Sequence, residues 1–138
     1  MIKTNATLQK KLKNLKNEGE VMKKTSFRVT KATLELENVL IQKMDIPRTT
    51  FHRRMIDYYL EYDRTVKPQL LIRKMTDPNY IQKDEMEQIY LDEKREQLLL
   101  EVAEEQEKIY QKKCGINIVL FQALLTYCVV MAPVVLDS

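Results

Sequence analysis

The sequence is poor in the residues that build tight turns, cross-linked scaffolds and metal centres. Its 138 residues include two glycines, four prolines, two cysteines, one histidine and no tryptophan. So few glycines argue against an all-β fold, because such folds need many tight turns. Cys114 and Cys128 are too few for a disulfide framework and too far apart for a CxxC metal site; Cys128 has apolar neighbours, and Cys114 immediately precedes an apolar run. We therefore predict buried, reduced cysteines and a cytoplasmic protein.

Enzyme motifs are also missing. The sequence contains no glycine-rich phosphate loop, no histidine–carboxylate metal spacing and no nucleophile elbow. The acidic run in "EVAEEQEKIY" (101–110) is typical of a solvated helix face. We predict that the protein is not an enzyme and that it has no catalytic residues, metal ligands or cofactors. The single histidine, His52, is expected at the surface or at an interface.

One hydrophobic run, "INIVLFQALLTYCVVMAPVVL" (116–136), is long enough to cross a bilayer. Polar residues and Pro133 interrupt this run, and Asp137 follows it. We therefore expect a buried helix of a protein core rather than a membrane span. The N-terminal region has no apolar segment ahead of a cleavage site, so we expect no signal peptide.

Charge is distributed unevenly along the chain. Residues 1–60 contain thirteen Lys or Arg against six Asp or Glu (net +7), whereas residues 61–138 contain ten against fourteen (net −4). Abundant Lys, Glu, Leu and Gln favour helices. A basic first half in a helical protein suggests a surface that meets a polyanion.

The first half combines one strand pattern with two helix patterns. In "TSFRVT" apolar and polar residues alternate, which places Phe27 and Val29 on the inward face of a strand. The outward face holds Lys24, Ser26 and Arg28. Thr30 is placed to cap a helix that runs to about Met44, and a second helix begins after Pro47. The apolar stripe of that second helix consists of Phe51, Met55, Ile56 and Tyr59.

A second strand pattern occurs in "MEQIYLD", after a connector (63–84) in which we predict a short helical piece around Leu70–Met75. Ile89 and Leu91 fall on the inward face of this strand. Its outward face holds Met86, Gln88 and Tyr90. Asp92 occupies the helix-capping position that follows.

Two more helices complete the second half. We predict one from about Glu93 to Lys113, ended by Gly115 in a left-handed conformation, and another, "IVLFQALLTYCVVM", capped by Asn117. Matching strand residues of the two halves are 62 positions apart, and matching residues of the last helices are 70 apart. Eight extra residues are about two helical turns. The pattern predicts an internal repeat with a lengthened helix in its second copy.

This order of elements resembles the ribbon-helix-helix (Arc/MetJ/CopG-type) DNA-binding family. The resemblance rests on "SFRVT", a helix and "DIPRTTFHRRMIDYYL", and more weakly on "EQIYLD" and "CGINIVLFQALLTYC". It implies a mainly α fold with a short two-stranded antiparallel ribbon, formed by tandem units at 24–62 and 85–138. Residues 1–23 would be a basic N-terminal arm and residues 63–84 a connector. The sequence leaves open whether the two strands pair within one chain or between chains.

The resemblance also implies contacts to DNA, because the ribbon of that family enters the major groove. The residues that would contact bases are Lys24, Ser26, Arg28, Met86, Gln88 and Tyr90, of which Met86 and Tyr90 depart from the usual polar set. The family binds phosphate at the start of the second helix. That role falls here to Arg48, Thr49, Thr50 and Arg53. The matching residues of the second copy, Ile118, Val119 and Leu120, are unsuited to phosphate.

The function implied by the resemblance is sequence-specific binding of double-stranded DNA by a transcriptional repressor. A homodimer or higher oligomer is compatible with the sequence. One alternative is an antitoxin or a conjugative DNA-processing accessory protein, in which residues 85–138 bind another protein. A membrane-tethered helical adaptor is a third hypothesis, although we do not expect a membrane partner.

Overall fold

A computed structural model describes residues 22–137, so the arm predicted for residues 1–23 lies almost entirely outside the described residues. In chain order the elements are β1 (Lys23–Val29), α1 (Lys31–Met44), α2 (Arg48–Tyr62), a 3₁₀ helix (Pro68–Leu71), β2 (Glu85–Leu91), α3 (Glu93–Tyr110) and α4 (Ile116–Leu136). The structure is mainly helical, with one short antiparallel sheet. The order strand, helix, helix occurs in the first half (22–62) and again in the second half (85–137).

The two strands pair with each other in antiparallel orientation within the one chain. The register places Ser26 opposite Gln88 and Arg28 opposite Met86. Side chains alternate between the two faces of a strand, and the inward face is covered by the helices. The buried apolar residues of this face are Phe27, Val29, Ile89 and Leu91, each at most 1% exposed. The alternation predicted for both strands is therefore confirmed.

Three of the predicted helix starts are confirmed. Thr30 Oγ1 accepts a hydrogen bond from the Thr33 amide (3.1 Å), and Asp92 Oδ1 accepts one from the Arg95 amide (2.7 Å). Each bond satisfies an amide of the first turn that has no partner inside its helix. Pro47 is the residue immediately before α2, where its fixed φ of −66° is compatible with the chain entering a helix.

The predicted boundaries between α3 and α4 were wrong. α3 ends at Tyr110, and Gln111 rather than Gly115 adopts the left-handed conformation, with φ of 54°. Gly115, with φ of −92°, is the N-cap of α4, so Asn117 lies inside that helix and does not cap it. The early end of α3 turns Cys114 into the core, where its amide donates to Glu107 Oε2 (2.9 Å).

The eight extra residues of the second half are not all in its first helix. α3 has 18 residues against 14 in α1, and the loop 111–115 is longer than the loop 45–47. α4 also begins at Ile116, two residues before the position that matches the start of α2, and runs past Pro133 to Leu136. In the connector the helical piece is the 3₁₀ helix Pro68–Leu71, slightly earlier than predicted.

α4 is the central helix of the core. It packs against β1, α1, α2 and α3, and four of its residues, Val119, Leu120, Ala123 and Leu124, are 0% exposed. The stripe predicted for α2 is buried as well. By length and composition α4 could cross a membrane, but 44% of its most apolar window is buried inside the fold. The buried part of α4, from Val119 to Leu124, forms the centre of the core.

The two halves are interlocked rather than side by side. α4 of the second half packs on β1 of the first half, and α2 of the first half contacts β2 of the second. The connector is held to the second half by two buried amides. Gln106 Oε1 accepts from the Val66 amide (3.1 Å), and Gln122 Oε1 accepts from the Lys67 amide (2.9 Å). The halves therefore share one core.

Candidate functional site

The outward face of the ribbon displays six predicted base-contacting residues in two rows. Cross-strand neighbours are Lys24 with Tyr90, Ser26 with Gln88 and Arg28 with Met86. All six side chains are exposed, including the large Met86 (54%) and Tyr90 (47%). Side chains directly opposite each other on one face of a sheet are close neighbours. The face thus combines two cations, two hydrogen-bonding groups and two large side chains with apolar surface.

The start of α2 is the second part of the site. Pro47 has no side-chain group that could accept a hydrogen bond, so the first amides of α2 remain open to an external acceptor. The helix dipole adds partial positive charge at this end. Thr49 is exposed, Thr50 is half-buried and Arg53 is exposed one turn further on.

A cavity of about 450 Å³ lies between the ribbon and the start of α2. The residues of the predicted site that line it are Arg48, Thr49, Met86, Gln88 and Tyr90. The structure therefore brings the outward residues of β2 together with two of the predicted phosphate contacts. Arg28 lines a different cavity, and Thr50 and Arg53 line neither.

A buried polar cluster of Glu37, His52 and Glu87, the "carboxylate–histidine cluster", lies behind this first cavity. Their exposures are 0%, 3% and 5%. His52 Nε2 is 2.9 Å from Glu37 Oε2 and 2.5 Å from Glu87 Oε2. These contacts connect α1, α2 and β2, and so join the two halves. The sequence predicted His52 either at the surface or at an interface. It is buried between the two halves, so the surface position was wrong and the interface position is confirmed.

Arg48 links the cluster to the outside. Its Nη1 atom is 3.2 Å from Glu37 Oε2 and 3.9 Å from Glu87 Oε1, and its Nη2 atom donates to Asn38 Oδ1. The Arg48 side chain is nevertheless 39% exposed. Because a guanidinium has five N–H donors, Arg48 can contact the carboxylates on one side and solvent on the other.

The environment sets the charges of the cluster. Burial raises the pKa of Glu37 to about 7, although its hydrogen bond with His52 acts in the opposite direction. Burial acts to lower the pKa of His52, but the hydrogen bonds to Glu37 and Glu87 outweigh it and leave this pKa raised. For Glu87, burial is outweighed by hydrogen bonds with His52 and Glu37, so its pKa is lowered. These shifts favour the ionised form of Glu87 and the protonated form of His52, and they place the titration of the Glu37 pKa at about pH 7.

Sequence reasoning missed this cluster, although two signals pointed to it. Glu87 shares the inward face of β2 with Ile89 and Leu91, and Glu37 lies one turn from Leu40 on the buried side of α1. The three potential ligand atoms of the cluster lie within 4.8 Å of one another, and carboxylate with imidazole is a donor set that Zn²⁺ accepts. The guanidinium of Arg48 already supplies positive charge there, which weakens the attraction for a second cation.

Comparisons with protein families, curated proteins and solved structures return no match to this chain. The geometry of the ribbon and of its neighbouring cavities is therefore the basis for a functional proposal.

Proposed function

We propose that the protein is a transcriptional repressor that binds double-stranded DNA sequence-specifically, with two ribbon-helix-helix units in one chain. The observation that supports this most is the ribbon itself. Its two strands pair within the chain and expose six side chains on one face, with the start of α2 beside it. A two-stranded ribbon has the width that the major groove of DNA admits.

The outward residues suit the reading of base edges. Arg28 can donate two hydrogen bonds to the O6 and N7 atoms of guanine, and Gln88 can form a paired contact with adenine. Ser26 can donate or accept. Met86 and Tyr90 offer apolar surface to the methyl group of thymine. Lys24 lies at the end of the ribbon opposite Arg28, and its long cationic side chain suits a contact with a phosphate or a guanine.

The start of α2 suits a backbone phosphate. Open amides, the helix dipole and the hydroxyls of Thr49 and Thr50 all favour an anion at this point. Arg53 adds a cation one turn on. Arg48 contributes from the edge of the first cavity, where its ion pairs with Glu37 and Glu87 hold the side chain in place.

The test is selection of preferred duplexes from a random pool, followed by binding measurements with two matched variants. Arg28→Ala is expected to reduce discrimination against the wrong base by about 1–3 kcal/mol, since a bidentate guanine contact is lost. Met86→Ala, at the cross-strand partner position, is expected to reduce this discrimination by less than about 1 kcal/mol, because it removes an apolar contact and no hydrogen bond. Circular dichroism checks that both variants fold. If the wild-type protein enriches no duplex from the pool, the proposal is wrong.

A protein-binding role for the second half is the alternative, as in an antitoxin or a conjugative DNA-processing accessory protein. It is favoured by the exposed apolar residues at the end of α4, Val129 (71%), Val134 (63%) and Leu136 (41%). Under this alternative, Val129→Asp abolishes co-purification of a neighbouring gene product and leaves duplex binding unchanged. Cytoplasmic localisation is part of both proposals.

A further inference from the structure

A strongly cationic cleft lies on the other side of the ribbon, against the middle and the end of the connector. We call it the connector cleft. It has a volume of about 330 Å³, and its cationic residues are Arg28, Arg73, Lys83 and Lys113. The other residues that line the cleft are apolar or uncharged. Among the residues that the structure describes, no acidic side chain lines it. Four positive side chains therefore surround one concave space.

No carboxylate among the described residues lines the connector cleft itself. Within the part of the chain that the structure describes, none of the four cations forms an ion pair. Lys83 is half-buried, with its Nζ atom 5.3 Å from the centre of the Phe121 ring. Burial, and then the charge of Arg28, lower the pKa of Lys83. An anion in the cleft would offset both costs.

A further cavity of about 430 Å³ borders the connector cleft and continues its positive surface. It shares Arg73 and Lys113 with the connector cleft and adds Lys74 and Lys112, against the single acidic residue Asp77. The cationic surface is therefore wider than one small ion and extends along the connector, as a chain of phosphates would require.

The connector cleft is placed as the counterpart of the first cavity. The first cavity is lined by the start of α2 and by β2, and the connector cleft by the start of α4 and by β1. Ile118, which lines the cleft, matches Arg48 in the repeat, and Arg28 is the cross-strand partner of Met86. Each side of the ribbon thus has a cavity beside it. The first cavity is lined by a polar helix start, whereas the connector cleft is lined by an apolar one.

We propose that the connector cleft binds successive phosphates of the DNA backbone through Arg73, Lys83 and Lys113, in place of the contact that the apolar start of α4 cannot make. The inference rests on the proposed function, since it names the second anchor of the same DNA complex. In the first half, phosphate binding comes from the helix start. In the second half it comes from the connector and from the loop before α4.

The decisive variant is Arg73→Gln/Lys83→Gln/Lys113→Gln, which leaves Arg28 in place. Each phosphate contact contributes about 0.9 to the slope of log K against log salt concentration, or roughly 8-fold in affinity near 0.1 M salt. If each of the three cations contacts a phosphate, affinity falls by roughly two orders of magnitude or more. The loss is equal for preferred and random duplexes, and the slope falls by about three.

A matched control separates this effect from the loss of net charge. Lys43→Gln/Lys94→Gln/Lys108→Gln removes three exposed lysines of α1 and α3, and these lysines line none of the three cavities. We expect less than about a 5-fold change in affinity, because exposed charges distant from the DNA are screened by salt. Equal losses in the two triple variants would overturn the inference.

Folding and small anions need their own measurements. Since Lys83 is half-buried, Arg73→Gln/Lys113→Gln, which changes exposed residues alone, is tested in parallel and is expected to lose roughly 10-fold or more. If inorganic phosphate raises the melting temperature of the wild type but neither variant loses duplex affinity, the cleft is a small-anion site and the inference is wrong. A wild type that binds no duplex overturns the proposed function as well, whereas normal duplex binding by both variants overturns the inference alone.

Discussion

The two halves of the chain have the same order of elements, but their second helices differ in polarity and burial. The second helix of the first half, α2, starts with Arg48, Thr49 and Thr50, and buries only one stripe. The second helix of the second half, α4, has Ile118, Val119 and Leu120 at the matching positions, and it is buried on all sides from Val119 to Leu124. One half supplies a polar surface, and the other supplies the centre of the core.

This difference is possible because the halves are interlocked. α4 packs on β1 and on all three other helices, so one thoroughly apolar helix fills the core for both halves. α2 is then free to keep a polar face beside the ribbon. A symmetric pair of units would have needed the same compromise in both helices, with each one half core and half surface. Because the two halves here differ in sequence, this chain avoids that constraint.

The largest expected effect tests this division directly. Leu120→Ala removes three carbons from a side chain that is 0% exposed, and should lower the free energy of unfolding by about 2–5 kcal/mol. Thr50→Ala, at the matching position of α2, should cost less than about 1 kcal/mol, because that side chain is half-buried and its helix is polar there. Urea denaturation of both variants measures the difference. Similar costs would mean that the two helix starts are equivalent after all.

The next effect concerns a buried position at which the halves differ in charge. Glu37 and its match, Leu99, are both 0% exposed. The pKa of Glu37 is raised from 4.5 to about 7 by burial, so the folded state holds this proton more tightly than the unfolded state. Stability should therefore fall by about 2–3 kcal/mol as the pH rises from about 5 to about 8. His52 adds to the fall above its ordinary pKa of 6.5, since its folded pKa is also raised.

Glu37→Gln is the matched control for this prediction. Glutamine has nearly the shape of the protonated carboxyl, so the variant should be more stable than the wild type at pH 8 and lose less stability between pH 5 and 8. Below pH 4.5 both proteins should lose stability as the pH falls, because the pKa of Glu87 is lowered in the folded state. Thermal unfolding across pH 4–9 measures these curves. A wild-type profile that rises from pH 5 to 8 would contradict the assignment.

Most of the local structure could be predicted because it follows from short-range patterns. The alternation in both strands, the caps Thr30 and Asp92, and the start of α2 after Pro47 all depend on residues within a few positions of each other. The outward face of the ribbon was predicted for the same reason. The end of α3 was not, because a left-handed Gln111 is unfavourable locally. Cys114 is buried three residues after this turn, a tertiary contact that glycine-based rules do not include.

The carboxylate–histidine cluster and the connector cleft depend on long-range contacts, and this is why sequence reasoning did not find them. Local patterns place Glu37 and Glu87 on buried faces but do not show which group either one pairs with, and buried charges are rare unless they are paired. Their partners are 15 and 35 positions away, beyond any periodic pattern. The connector cleft likewise gathers Arg28, Arg73 and Lys113 from three separate segments. Only the fold brings these groups together.

The smallest expected effect compares the two helix caps. Thr30→Ala removes one capping hydrogen bond and should lower the free energy of unfolding by about 1 kcal/mol. Asp92→Ala should cost about 2 kcal/mol, because Asp92 also accepts from Arg95, whose guanidinium holds Asp57 of α2 with two bonds of 2.7 and 2.8 Å. Asp92→Asn keeps the cap and weakens only the ion pair, so its cost should be intermediate between wild type and Asp92→Ala. Equal costs for Thr30→Ala and Asp92→Ala in urea denaturation would show that the second cap does not contribute to holding the halves together.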